Sequence, residues 1–187
     1  MAPTLLLLAG PNGAGKTTAA PRLLRDRLGS LEFINADRIA RGLSSFNPDR
    51  VAFQAGRILL ARARQLARDR ESFAVETTLS GRTYASWIPA LKREGYRLDL
   101  LFLWLPSEEL ALSRVSHRVS LGGHDIPPAV VRRRYRAGLG NFFRLYRPLA
   151  DSWRFYDNSG ATPVLVAQEG VVYDATLWHN LECRWET

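Results

Sequence analysis

The residues with the clearest chemical capacity run from Gly10 to Thr17, where the chain reads Gly-Pro-Asn-Gly-Ala-Gly-Lys-Thr. This spacing fits G-x-x-x-x-G-K-[ST], the pattern of a phosphate-binding P-loop. Its glycines let backbone N–H groups curl around a phosphate, and the start of a following helix adds partial positive charge. Lys16 is expected to reach the β- and γ-phosphates of ATP, and the Thr17 hydroxyl to bind Mg²⁺. The predicted cofactor-binding residues are Gly10, Pro11, Asn12, Gly13, Ala14, Gly15, Lys16, Thr17 and Thr18, with Thr17 as the metal ligand.

The segments on either side of this loop support the interpretation. Residues 4–9 form a short, continuous apolar run, which is typical of a strand buried on both faces. Residues 17–28 predict a helix that ends at Gly29. A glycine-rich turn that binds nothing is the alternative, and the agreement of strand, spacing and helix argues against it. The chain has only two lysines beside 24 arginines, and one of the two stands where a compact ammonium is needed.

The composition is that of an ordinary globular protein. A length of 187 residues with 46% hydrophobic and 24% charged residues suits a single α/β domain. No apolar run approaches the roughly 20 residues of a membrane span, and the first residues lack the basic segment of a signal peptide. Cys183 is the only cysteine, so no internal disulfide can form. We therefore expect a cytoplasmic protein without membrane contact.

The net charge of +8 restricts the choice of partner. It is compatible with nucleic acid, with a small anionic substrate in a basic cleft, or with an arginine-rich codon bias. No basic stretch interleaved with aromatic residues resembles a platform for single strands. Codon bias together with an anionic small-molecule acceptor is therefore the favoured interpretation, and nucleic acid is not favoured.

The order of the predicted elements indicates the fold class. Five strands alternate with helices, which predicts an α/β protein with a five-stranded, mainly parallel sheet flanked by helices, as in the P-loop NTPase fold. Residues 163–172 add a further strand or a hairpin. We expect residues 1–187 to form one domain. The predicted strands are 4–9, 31–35, 72–78, 97–105 and 154–158, and the main predicted helices are 17–28, 48–70, 81–94 and 129–146, with a further helix after Ser107 and a short one at the end of the chain.

Acidic residues lie at the ends of three of these strands, with Asp157 at the end of the fifth. Asp37 comes after the second strand and is a candidate general base for an acceptor hydroxyl, or else a helix N-cap. Glu76 is near the end of the third strand and could orient the acceptor or a metal-bound water, or else pair with an arginine. The fourth strand ends without an acid, and Asp99 lies near its beginning. A mechanical ATPase, which needs an acid there to position water, is therefore not favoured.

Arginines surround a loop rich in glycine and proline at residues 121–128. A phosphotransferase needs cations over the transferring phosphoryl group and must exclude water. The region from about 114 to 136 is therefore predicted to be a cationic lid, although a solvated helix face is an equal alternative for any one of its arginines. These are Arg114, Arg118, Arg132, Arg133, Arg134 and Arg136.

Several segments taken together resemble the zeta-toxin family of P-loop kinases in its short form. They are Gly10–Thr18, Asn35-Ala-Asp37, Phe73–Gly81, Arg118-x4-Gly-Gly-His-Asp-Ile-Pro127, Arg132–Tyr135 and Tyr156-Asp-Asn-Ser159. The P-loop alone is not specific to that family, but the ordered set is. The resemblance implies an adenylate-kinase-like core with a small lid. The best-known members use ATP to phosphorylate the 3′-hydroxyl of the sugar in UDP-N-acetylglucosamine, and many are restrained by an antitoxin.

The resemblance also implies roles for individual residues. Lys16, Asp37 as base, and the lid arginines Arg118 and Arg134 would be catalytic. Asn158 would lie near the nucleobase of ATP. Substrate contacts would come from Asn35, Glu76, Thr77, Thr78, His124 and Arg133.

The departure from the family is size. The larger toxins carry extra segments that help to hold the nucleotide sugar, and this leaves the acceptor open. A polynucleotide 5′-hydroxyl kinase and a non-catalytic nucleotide-binding module that binds a partner are the alternatives.

Overall fold

The computed structural model describes residues 2–25, 31–45, 47–123 and 125–186. These residues contain one sheet of seven strands in the order β2-β3-β1-β4-β5-β6-β7. The first five strands of that order are parallel, and β6 and β7 run antiparallel. The strands are β1 Thr4–Ala9, β2 Glu32–Ile34, β3 Phe73–Thr77, β4 Arg97–Trp104, β5 Ser152–Asp157, β6 Val164–Gln168 and β7 Val171–Val172.

The α/β class and the parallel arrangement are confirmed, and the strand number is corrected from five to seven. The two extra strands come from residues 163–172. The turn between them contains Gly170 at φ +75°, a conformation that glycine adopts without strain. This turn lets β6 and β7 form a hairpin that extends the sheet beyond β5.

Seven α-helices cover this sheet among the described residues. The sequence predicts a loop at residues 40–47, but residues 40–43 belong to the second helix. The predicted helix at 48–70 begins with a short 3₁₀ turn at Pro48–Val51. The predicted helix at 129–146 ends in a π-helical turn, Phe142–Tyr146. The end predicted for the first helix, at 26–29, lies outside the described residues. The helices are α1 Lys16–Leu23, α2 Ala36–Leu43, α3 Ala52–Arg68, α4 Thr83–Arg93, α5 Glu108–Ser120, α6 Pro128–Asn141 and α7 Ala175–Trp185.

Strand β1, which leads into the P-loop, has parallel neighbours on both sides. Leu8 pairs with Glu76 of β3 and with Leu101 of β4. Residues 5–9 are buried, as the continuous apolar run predicts. Because the strands are parallel, the carboxyl ends of β1, β2 and β3 meet at one edge of the sheet, where ligands bind in open α/β sheets. Within the described part of the chain, no helix has the length and apolar character needed to cross a membrane.

An aromatic cluster joins the other half of the sheet to α6 and α7. The Phe155 ring of β5 is fully buried, and its centre lies 5.2 Å from that of Phe142 and 5.3 Å from those of Phe102 and Trp178. The predicted inner face of the helix at 129–146 is confirmed, since all of its members are buried. They are Val131, Tyr135, Leu139, Phe142 and Tyr146.

Replacing Phe155 by alanine should strongly destabilise the fold. We expect Phe155→Ala to lower the free energy of unfolding by about 3–5 kcal/mol, because a buried aromatic side chain is lost and its cavity cannot fully collapse. Denaturant unfolding measures this. Phe53→Ala is the control, because Phe53 is 83% exposed and its loss should change stability by only about 0.5 kcal/mol. Equal effects of the two substitutions would contradict the assignment of the core.

Candidate nucleotide and acceptor site

The P-loop follows β1 and packs closely against its surroundings. Gly10, Gly13 and Gly15 have φ values of +141°, +78° and +70°. A Cβ on Gly10 would lie 2.2 Å from the Leu103 carbonyl oxygen, and one on Gly13 would lie 2.6 Å from the carbonyl oxygen of Ala111. Glycine is therefore required at these positions both by conformation and by space, and the loop backbone is held in the curved form that suits a phosphate.

Lys16 is the most buried charged group of the loop. Its side chain is 7% exposed, and Nζ donates hydrogen bonds of 2.9 Å to the carbonyl oxygens of Gly10 and Pro11. Burial lowers the pKa of Lys16 below its ordinary value. The negative charges of Glu76 and Asp37 act in the opposite direction. The ammonium is therefore held in a site where its charge is weakly screened and acts strongly on neighbouring groups.

Positive charges also act on Lys16. The guanidinium groups of Arg118 and Arg134 lower the pKa of Lys16 further. Two predicted acids and two predicted lid arginines thus lie close enough to the P-loop lysine to act on its charge. The structure brings these five predicted groups into one electrostatic neighbourhood.

Glu76 lies at the end of β3, directly beside the P-loop. Its Oε2 accepts hydrogen bonds from Thr17 Oγ1 at 2.8 Å and from Asn35 Nδ2 at 2.7 Å. Two neutral donors thus hold this oxygen of the carboxylate. The acid next to the P-loop thus comes from β3 and not from β4, since parallel pairing places Glu76 opposite Leu8.

Asp37 lies in the first turn of α2 and is exposed. The N-cap of that helix is Asn35, whose Oδ1 accepts from the Arg38 backbone N–H at 3.0 Å. The alternative that Asp37 is the helix cap is therefore wrong. Asn35 binds Glu76 through one end of its amide and caps α2 through the other, so it fixes α2 relative to β3.

A cavity of about 460 Å³ opens beside these groups. Its lining includes eight of the predicted site residues together with side chains of α3 and α4. Thr18, Arg118, Arg133 and Asn158 lie outside this lining, and His124 lies outside the described residues. The lining residues are Asn12, Lys16, Asn35, Ala36, Asp37, Ala52, Phe53, Gly56, Arg57, Leu59, Leu60, Glu76, Thr77, Thr78, Ser80, Thr83, Tyr84 and Arg134.

Helix α6 brings Arg134 to this cavity. A Cβ on Gly138 would lie 2.4 Å from the Thr78 carbonyl oxygen, so the helix approaches the end of β3 closely only because residue 138 has no side chain. Arg134 precedes Gly138 by one turn and therefore lies on the same side of the helix. Arg133 is exposed and does not line the cavity.

Other predicted lid arginines have structural roles. Arg132 Nη1 lies 2.8 Å from Glu109 and 3.2 Å from Glu108, and Arg136 Nε lies 2.5 Å from Glu108. These ion pairs join α6 to the beginning of α5. On α5, the backbone carbonyl oxygen of Arg118 accepts a hydrogen bond from the Gly123 N–H at 2.9 Å.

The other side of the P-loop is held by Asn158 and Arg114. Asn158 Nδ2 donates to the Ala14 carbonyl oxygen at 2.7 Å. Arg114 donates to the carbonyl oxygens of Asn158 and Ser159 at 2.7 and 2.6 Å. Asn158 therefore contacts the P-loop backbone, and Arg114 braces this contact. The expected place of Asn158 beside the nucleobase of ATP stays a prediction.

The outer wall of the cavity was missed at the sequence level. The arginine-rich pattern of the predicted helix at 48–70 is most simply a solvated face, yet Arg57 lines the cavity together with Phe53, and Tyr84 of α4 joins them. Ile58, predicted to lie on the inner face of α3, is 38% exposed. One feature of the sequence that indicates this wall is Phe53, because an aromatic residue next to the apolar face of a helix, and not on it, is available to bind a ligand.

The metal expected from the sequence would depend on oxygen ligands. Within the described ranges, no group of three or more His, Cys, Asp or Glu side chains could hold a metal ion. Thr17 Oγ1 and Glu76 Oε2 lie 2.8 Å apart at the mouth of the P-loop. A hydroxyl and a carboxylate are hard oxygen donors that suit Mg²⁺, which usually binds to one or two carboxylates together with substrate phosphates.

Comparison with known proteins agrees with this fold. Residues 5–142 match a family described as AAA domain, and the chain belongs to this family. An uncharacterized protein of Haemophilus influenzae is 28% identical over 130 residues, which are 70% of this chain and 91% of that protein.

Two solved structures share the fold over nearly the whole chain. One is a chain of the AvrRxo1-ORF1:-ORF2 complex with ATP, with a TM-score of 0.72 and 23% identity over 96% of this chain. The other belongs to the PezAT chromosomal toxin-antitoxin system of Streptococcus pneumoniae, with a TM-score of 0.68 and 16% identity over 96% of this chain. The chain spans 63% of the first of these structures and 78% of the second. The recognition of a zeta-toxin-like P-loop kinase fold is confirmed.

Removing Lys16 should weaken ATP binding. We expect Lys16→Ala to raise the Kd for ATP by about 10- to 100-fold, because a charge-assisted contact to phosphate is lost. Isothermal titration calorimetry measures this. Lys92→Ala is the matched control, since the other lysine pairs with Asp151 at 2.8 Å and lies outside the cavity lining. Equal losses in both variants, or none in Lys16→Ala, would contradict the site.

Proposed function

We propose that this protein is an ATP-dependent phosphotransferase that acts on the hydroxyl of a small anionic acceptor. A nucleotide sugar of the UDP-N-acetylglucosamine type is the acceptor that the family resemblance favours. The observation that carries the proposal is the cavity itself, which is lined by Lys16 of the P-loop and by the carboxylates of Asp37 and Glu76. A nucleotide-binding module without catalysis would have no need for an acid-lined cavity beside the P-loop lysine.

In this proposal Asp37 is the general base. An acceptor hydroxyl must lose its proton as its bond to phosphorus forms, and a positioned carboxylate takes up that proton. Asn35 caps α2 and donates a hydrogen bond to Glu76. These two contacts fix the first turn of α2, which carries Asp37. Asp37 is exposed at the cavity, so an acceptor can reach it.

The cations of the site stabilise the charge that is transferred. Lys16, Arg118 and Arg134 would face the phosphates of ATP, with Asn158 on the nucleobase side of the loop. Preorganised cations in a site shielded from water stabilise a phosphoryl transition state more than they would in bulk solvent. Glu76, Thr77, Thr78 and Asn35 would contact the acceptor, as would Arg133 and His124 of the lid.

Mg²⁺ fits the oxygen pair of Thr17 and Glu76. When bound, it would neutralise phosphate charge and hold the phosphates in line. The protein contributes the fixed separation of the two oxygens, which the pairing of β1 with β3 determines.

The proposal includes one kinase domain with a lid at about 114–136, and action in the cytoplasm. The PezAT system is by its name a toxin–antitoxin pair, and the AvrRxo1 structure is a complex of two chains. We accordingly propose that a protein partner of the antitoxin kind restrains this chain.

Transfer from γ-labelled ATP to a panel of acceptors tests the function. The panel contains nucleotide sugars, nucleosides and oligonucleotides with a 5′-hydroxyl. We expect label on a nucleotide sugar, with ATP hydrolysis slow when no acceptor is present. Label on oligonucleotides alone would identify a polynucleotide kinase, which the net charge of +8 would permit. The absence of transfer to any acceptor would leave only nucleotide binding and overturn the proposal.

Substitution of Asp37 tests the base. We expect Asp37→Asn to lower turnover by roughly 10²–10⁴-fold, because the shape is kept and the proton acceptor is lost. ATP affinity and melting temperature should change little, since Asn35 and not Asp37 caps α2. Steady-state kinetics and calorimetry measure these quantities. Asp69→Asn, at the C-terminal end of α3 and outside the cavity lining, is the control. Transfer at nearly the wild-type rate in Asp37→Asn would remove Asp37 from the mechanism.

Hydrogen exchange tests the lid. We expect ATP together with an acceptor to protect the backbone amides of residues 114–136, because closure of the loop excludes water. The amides of β1 should be protected with and without ligands, since the strand pairs on both sides. Exchange in residues 114–136 that does not respond to ligands would show that this segment is a static part of the fold.

A further inference from the structure

The first turns of α3 form an apolar wall of the cavity. Ala52, Phe53, Gly56, Arg57 and Leu60 all line it, and Arg57 is the one charged side chain that the helix contributes. Phe53 belongs to this lining although 83% of its surface is exposed to solvent. An aromatic side chain that is open at a cavity and takes no part in the core is available to bind a ligand.

Gly56 adds an independent observation. It lies in the interior of the 17-residue helix α3, where glycine is less favourable than alanine. A Cβ at this position would meet no atom within 4 Å, so neither packing nor conformation requires glycine. Because Gly56 has no side chain, the helix backbone is uncovered at the cavity, one turn after Ala52. The resulting flat surface lies beside the Phe53 ring.

We infer that this wall binds a planar ring of the acceptor, packed on Phe53 and over Gly56, and that Arg57 binds an anionic group carried next to that ring. The inference rests on the proposed function, which places the phosphorylated hydroxyl at Asp37. A nucleobase and a simple arene share this chemistry. The experiment below distinguishes these two sources.

The composition of the wall argues against an acceptor that is only a polyhydroxylated sugar. A polar site needs donors and acceptors for each hydroxyl that it buries. The polar side chains of the cavity come from the P-loop, the start of α2, the end of β3 and the segment after it, α4 and α6, whereas α3 offers only Arg57. A sugar hydroxyl fits the polar end, and the α3 end suits a flat apolar body with a neighbouring charge.

Binding to the ATP-free protein tests the inference without requiring catalysis. Three probes share the same sugar: UDP-N-acetylglucosamine, p-nitrophenyl N-acetylglucosaminide and N-acetylglucosamine 1-phosphate. The first carries a ring and an anion, the second only a ring, and the third only an anion. Dissociation constants are measured by calorimetry or by ligand-observed NMR.

The variants should distinguish the contact that binds the ring from the contact that binds the anion. We expect Phe53→Ala to weaken binding of the two ring-bearing probes about tenfold, with the phosphate probe unchanged. Phe53→Trp should restore ring binding. Arg57→Gln should weaken the two anionic probes and spare the nitrophenyl probe. Tyr173→Ala, an exposed aromatic on the hairpin at the other edge of the sheet, is the control and should change none of the three.

A second variant fills the flat surface. Gly56→Leu should weaken the ring-bearing probes while the melting temperature stays the same or rises, because leucine is the better helix former. Gly42→Leu is the matched control, since a Cβ there also meets nothing within 4 Å and Gly42 does not line the cavity. A folded Gly56→Leu protein that binds as the wild type does would count against the ring site.

The outcomes separate the inference from the proposed function. Equal loss of all three probes in Phe53→Ala, no loss of any, or the failure of ring-bearing probes to bind would overturn the ring site even if phosphotransfer is found. The predicted pattern of binding without any phosphotransfer would leave the ring site standing and overturn only the kinase activity. The Arg57→Gln variant distinguishes the two kinds of ring, because neither ring-bearing probe can then gain the anion contact. Equal affinity of this variant for the two probes indicates that the wall binds any arene, and a much weaker affinity for the nitrophenyl probe indicates a preference for a nucleobase.

Discussion

The burial of one ammonium group is the interaction on which the rest of the site depends. Lys16 is removed from water, and burial is the largest cause of its lowered pKa. Nearby groups compensate the hydration that the ammonium loses on burial. Two carbonyl oxygens of its own loop do so at 2.9 Å, and the negative charges of Glu76 and Asp37 help. The glycine conformations of the loop and the placement of β3 beside β1 serve this arrangement.

The same constraint explains the distribution of charge around the site. Arg118 and Arg134 act against the charge of Lys16, so the site places three cations close together beside two acids. Such a grouping favours a polyanionic ligand, which reduces the repulsion among the cations. Other arginines of the same region are engaged in ion pairs, as with Arg132 and Arg136 on the acids of α5. The acids of α5 thus give Arg132 and Arg136 a structural role, because these pairs join α6 to α5.

Local patterns were sufficient for the parts of the site that lie at strand ends. The P-loop has a fixed spacing, and parallel pairing brings Glu76 and the α2 residues to the same edge, so their approach to Lys16 could be predicted. The choice of helix cap could not, because Asn35 and Asp37 are both good caps and the contact of Asn35 with Glu76 decides between them. The α3 wall of the cavity also could not be predicted from the sequence. Whether Phe53 and Arg57 face solvent or a cavity depends on how α3 packs against distant elements. The sequence also could not decide whether residues 163–172 form one strand or a hairpin, because the direction of the second strand depends on the turn at Gly170.

The most direct test of this account is a crystal structure of the protein with Mg²⁺ and a non-hydrolysable ATP analogue. The account predicts that the triphosphate follows the P-loop, with Lys16 Nζ within hydrogen-bond distance of the β- and γ-phosphates. The γ-phosphate should face the cavity between Asp37 and Glu76, with the nucleobase on the Asn158 side. The central claim is that ATP and its acceptor bind at the same edge of the sheet. A γ-phosphate directed away from those carboxylates, or a nucleotide bound elsewhere on the protein, would contradict it.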